Sequence, residues 1–118
     1  MEIRHSMRDG CTVVSLTGPI NLFTAPRIQR TLLKDLAQRP YGIVCDLSGV
    51  ESIDPRCAQV FTTVANHPST VWPETTLLLC AVRPAVAEVL ARLGVPSYLP
   101  LYDTVEDALD NALASPPT

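Results

Sequence analysis

Near the start of the chain, apolar and polar positions alternate; further on the apolar spacing becomes helical. Ile3 to Met7 and Thr12 to Thr17 read as two strands joined by Asp9-Gly10, a pair that supplies the positive φ angles of a tight hairpin turn. Gly18-Pro19 breaks the second strand. From Thr24 the period lengthens. Ile28, Leu32, Leu33 and Leu36 fall on one face, and Arg27, Arg30, Lys34 and Gln38 on the other. This predicts a helix capped by Thr24, opened by Pro26 and closed by Pro40.

The run from Gly42 to Leu47 is almost continuously apolar, as in a strand buried on both faces of a parallel sheet. A second helix is predicted from Pro55 to His67, with Ala58, Phe61, Val64 and Ala65 inward and Pro68 ending it. Thr76 to Val82 reads as another buried strand. Pro84 opens a third helix with Val86, Val89, Leu90 and Leu93 inward and Gly94 as its left-handed stop. Ser97 to Leu101 suits one more short strand. Thr104 to Asp107 resembles a capping box, with Asp where Glu is usual, for a last helix through Ala114. Strands alternating with helices predict an α/β fold: a mixed, mostly parallel sheet of four or five strands flanked by four helices. The 118 residues suit a single domain over 1–114, with 115–118 as a flexible tail.

Charge and cysteine content narrow the function classes. A net charge of −3, with eight Arg and one Lys scattered along the chain, leaves no basic footprint for nucleic acid or an acidic membrane. The first twenty residues lack the basic start and apolar stretch of a signal peptide, and no apolar run is long enough for a span. A cytoplasmic protein without direct membrane insertion is the expectation. Cys11, Cys45, Cys57 and Cys80 form no C-x-x-C pair and have no neighbouring His for a zinc site, so reduced thiols and no metal are expected. No Gly-rich phosphate loop is present, and no cofactor is predicted.

The chemistry concentrates in DLSGVESIDPRCAQVF, residues 46 to 61. Asp54 suits a helix N-cap and Pro55 the first helical position. Arg56 then stands where the helix dipole disfavours a cation, unless Asp54 neutralises it; an anchor for a partner and a plain surface residue are both open. A thiol at a helix N-terminus can become a thiolate, which makes Cys57 a candidate reactive group, although inward packing explains it equally well. Ser48 and Ser52 flank the loop as turn formers or phosphorylation targets. His5 and His67 read as surface residues, and Trp72 as a cover for the core edge or an exposed anchor.

Four strings, VVSLTGPIN (13–21), IVCDLSGVESID (43–54), CAVRPAVAEVLARLGV (80–95) and LYDTVEDAL (101–109), resemble the STAS domain of sulfate transporters and anti-sigma factor antagonists. The resemblance implies a non-enzymatic protein-binding module whose partner is an anti-sigma factor with serine kinase activity. It also implies a switch at the start of the second helix, an Asp-Ser-Ser-Gly motif whose second Ser is phosphorylated. Asp54-Pro55-Arg56-Cys57 occupies that motif here: Asp54 is retained, and Arg56 fills the phosphorylatable slot without a hydroxyl. Asn21 stands where the family usually has Asp in the preceding turn. The implied contact residues are Asn21, Ser52, Asp54, Arg56 and Cys57. A STAS subunit of a lipid-transport or stress-signalling complex, a thiol enzyme or redox sensor using Cys57, and a homodimer stay open.

Overall fold

The computed structural model describes residues 1–8, 10–38, 42–65, 76–95, 99 and 101–114. The elements run β1 (Glu2–Arg8), β2 (Cys11–Thr17), α1 (Ala25–Leu36), β3 (Gly42–Gly49), a 3₁₀ turn (Pro55–Cys57), α2 (Gln59–Ala65), β4 (Thr76–Cys80), α3 (Pro84–Arg92), β5 (Leu101–Tyr102) and α4 (Val105–Ala114). The five strands form one sheet in the order β1-β2-β3-β4-β5. The hairpin pair β1–β2 is antiparallel, and every later pairing is parallel.

The layers follow from this order. Strands β2 to β5 add in one direction, so crossovers of one hand carry their connecting helices to one face. Side chains alternate across the sheet. Val14, Leu16, Ile43, Cys45, Leu47, Leu77 and Leu79 pack with Ile28, Leu32 and Leu36 of α1, Phe61 and Val64 of α2, and Val86 and Leu90 of α3. The alternate positions Cys11, Val13, Val44, Leu78 and Cys80 pack with Ala108, Leu109 and Ala112 of α4. Central β3 is therefore covered on both faces, as its apolar run predicts.

Several local expectations are corrected. Thr24 does not cap α1 with its side chain: it already has helical angles, and its hydroxyl donates to Pro19 O at 2.9 Å. The second helix opens with the 3₁₀ turn and becomes α-helical only at Gln59. β4 ends at Cys80 and not Val82, because Ala81 turns to φ 55° while its N–H donates to Tyr102 O at 3.0 Å. Leu93 is 48% exposed, since the regular turns of α3 end at Arg92 and carry it off the buried stripe. The last strand is Leu101–Tyr102; Ser97, Tyr98 and Pro100 lie outside the described residues, as do Pro40, His67, Pro68, Trp72, the side chain of Ala65 and the 115–118 tail. Thr104 does cap α4: its hydroxyl accepts from the Asp107 N–H at 3.0 Å.

Candidate functional site

Parallel strands bring their C-terminal ends to one edge of the sheet, where α/β proteins place their binding sites. Here that edge is laced together by backbone hydrogen bonds. Gly18 N–H donates to Gly49 O at 3.0 Å, Ile20 N–H to Ser52 O at 3.0 Å, and Asp54 N–H to Ile20 O at 2.8 Å. Ile20 and Ile53 form a parallel bridge beyond β2 and β3. This close approach explains Gly49, where a Cβ would lie 2.8 Å from Leu16 O and 2.7 Å from Thr17 Oγ1. From β4, Arg83 Nε donates to Ser48 O at 2.8 Å, tying a third strand end to the same edge.

The turn after β2 is built by Asn21. Its Oδ1 accepts from the N–H groups of Phe23 at 2.9 Å and Thr24 at 3.1 Å, an Asx turn that satisfies donors ahead of α1. Its carbonyl accepts from Ala25 N–H at 2.8 Å, and its N–H donates to Thr24 Oγ1 at 2.8 Å. An amide oxygen does this as well as a carboxylate. With the backbone so held, Leu22 and Phe23 project outward, 54% and 92% exposed.

The turn after β3 is built by Asp54. Its angles are extended, φ −71° and ψ 125°, and Oδ1 caps the 3₁₀ turn by accepting from Arg56 N–H at 2.9 Å. The same carboxylate holds the Arg56 guanidinium, Nε to Oδ1 at 3.2 Å and Nη2 to Oδ2 at 2.9 Å. These hydrogen bonds from Arg56 hold the Asp54 carboxyl below the usual carboxylate range and raise the guanidinium further. The cation at the start of the helix is thus offset by its own cap. Cys57 turns inward and is 4% exposed. Burial pushes its thiol up, and the Asp54 charge adds to this against a smaller opposing effect of Arg56. That is the reverse of the low-pKa thiolate that a redox or nucleophilic role requires.

Asn21, Ser52, Asp54 and Arg56 therefore meet on one surface, with Cys57 beneath it. Between α1 and α2 this surface opens into a groove of ≈ 430 Å³ lined by Leu22, Ala25, Leu33, Val60, Arg30 and Arg56 among others. Leu22 and Phe23 are the residues that the sequence reading missed. Their signal was two large apolar side chains inside a turn. Among the described residues, no group of three or more His, Cys, Asp or Glu is placed to hold a metal ion, and no helix is long and apolar enough to cross a membrane.

The STAS domain profile matches residues 2–108. The chain belongs to the STAS domain family. An anti-sigma factor antagonist from Mycobacterium paratuberculosis is similar at 28% identity and TM-score 0.85, over 95% of this chain and 93% of that one. The anti-sigma factor antagonist SpoIIAA in its unphosphorylated form aligns at 14% identity and TM-score 0.76, over 97% of this chain and 98% of that one. A sulfate transporter family protein from Wolinella succinogenes aligns at 21% identity and TM-score 0.76, over 92% of this chain and 89% of that one. The latter two share the fold alone. No curated protein matches this STAS domain significantly.

Proposed function

We infer that this STAS domain is a regulatory protein-binding module of the anti-sigma factor antagonist kind, and that it docks its partner on the edge formed by Asn21, Ser52, Asp54 and Arg56. The observation that carries this reading is the exposed Leu22–Phe23 pair, held out by the Asn21 turn, with Leu22 lining the α1–α2 groove. Aromatic side chains concentrate in the buried centre of protein interfaces, and a preordered turn lowers the ordering cost of binding. Arg56 serves as a rim residue, since its charge is already satisfied by Asp54. Without a hydroxyl at position 56, phosphorylation does not switch binding there. The similarity to the Mycobacterium antagonist supports an anti-sigma factor as the partner; serine kinase activity in that partner is what the family resemblance implies.

Calorimetric titration against the anti-sigma kinases encoded in the same genome tests this. One of them binds, Phe23→Ala weakens it at least about tenfold, and ATP leaves no phosphate on the 3₁₀ turn. No binding by any of them overturns the partner class. Undiminished affinity in Phe23→Ala overturns the docking edge.

A further inference from the structure

The sheet has two edges, and they differ. β5 is two residues long, whereas β1 runs for seven residues and, among the described residues, pairs with β2 alone, in seven consecutive pairs without a bulge. Such an edge presents a row of unpaired backbone groups, which proteins commonly blunt with Pro, Lys or a bulge. Glu2–Arg8 contains neither Pro nor Lys. Arg4 to Arg8 are all exposed, and Met7, 64% exposed, shares its strand face with the partly buried Ile3. Odd positions face α1, where His5 Nε2 meets Asp35 Oδ2 at 2.9 Å; even positions face α4, where Arg8 Nη1 donates to Glu106 Oε1 at 3.3 Å.

We propose that β1 is a homodimer interface: β1 of one copy pairs antiparallel with β1 of a second copy about a two-fold axis at His5, continuing the sheet. The register follows from charge. A two-fold axis normal to the sheet opposes residues of the same face, so the axis passes through a residue. Centred on Arg4, it would set Arg4 against itself; centred on Ser6, it would set Arg4 against Arg8. Centred on His5, it uses all seven residues and opposes Glu2 to Arg8, Ile3 to Met7 and Arg4 to Ser6, each twice. Opposite charges meet, and the exposed Met7 is covered by Ile3. Two paired edge strands bury less than the roughly 1,200–2,000 Å² of stable complexes. The dimer is therefore reversible and fills only at high protein concentration. This interface is the outer side of β1, whose Glu2 end pairs with Thr17 just before the Asn21 turn, and it does not depend on the partner proposed at that turn.

Sedimentation velocity of the full chain over a concentration series shows the monomer giving way to a dimer. Glu2→Arg alone and Arg8→Glu alone each suppress the dimer, and the two together restore it. Under mild oxidation His5→Cys gives a covalent dimer, because self-opposed Cα atoms lie about 4.5–5.5 Å apart. Arg4→Cys gives none, its copies lying roughly 8 Å apart across the diagonal. The native cysteines are buried and do not compete. A monomer at every concentration overturns the proposal, as does a dimer indifferent to the Glu2 and Arg8 exchanges. The exchanges decide the matter even if His5→Cys, which leaves Asp35 without its partner, fails to fold.

Discussion

The Asn21–Thr24 turn and the Asp54–Cys57 turn lie side by side, joined through the Ile20–Ile53 bridge, and they use their polar groups in opposite ways. In the first, every hydrogen bond serves to fix backbone, and the large side chains are left bare. In the second, the one long side chain is folded back on its own cap, and the thiol is hidden. The Arg56 position is electrostatically closed, while the neighbouring turn carries the exposed apolar surface. On the docking edge proposed above, recognition would thus be weighted toward dispersion and desolvation at Leu22 and Phe23, and away from charge at Arg56.

The largest effect on this comparison comes from removing what the turns share. Gly49→Ala forces a Cβ against Leu16 O, a backbone atom that cannot swing aside. It should cost about 1–3 kcal/mol, read from chemical denaturation, and lower binding through both turns together. Unchanged stability would show that the two strand ends separate easily and that the turns are not one platform.

A smaller effect separates them. Asn21→Ala removes the acceptor for two N–H groups and should cost about 0.5–2 kcal/mol, while loosening the backbone beneath Phe23. Asn21→Asp keeps the acceptor and should behave as wild type in the same melts. If Asn21→Ala weakens the partner more than it destabilises the fold, preorder of the apolar pair is what the turn contributes. Equal behaviour of the Ala and Asp variants would remove the Asx turn from the account.

Much of the fold was legible because the sheet repeats simple patterns. β3 and β4 needed only continuous apolar runs, and α1 only its stripe, since both depend on burial rather than on particular partners. The ends were less legible. Thr24 looked like a cap, but Asn21 three residues earlier took over through its side chain and carbonyl, a choice set by competing local hydrogen bonds. Leu93 matched the helical period and still lies outside, because period does not say where a helix stops. The Asp54–Arg56 pair was harder still. Residues two apart do not face each other on a helix; these meet because Asp54 is extended and Arg56 sits in the 3₁₀ turn. That conformation also turns Cys57 inward.

The smallest predicted effect tests the closed half of the comparison directly. Because hydrogen bonds from Arg56 depress the Asp54 carboxyl in the folded state, the stability it contributes is present above the unfolded value near 3.8 and is lost as pH falls through the lower folded value. A carboxyl carbon NMR titration of the folded domain should therefore place the Asp54 midpoint below that ordinary value. Arg56→Ser keeps the backbone N–H that Asp54 caps and removes the guanidinium, so the midpoint should move part of the way back. Both partners of the pair are accessible enough for water to compete, and the shift should shrink in high salt. If wild type and Arg56→Ser titrate alike, the ion pair does not persist in solution. Arg56 is then free to reach a partner's carboxylate, and the contrast between a satisfied turn and a bare one disappears.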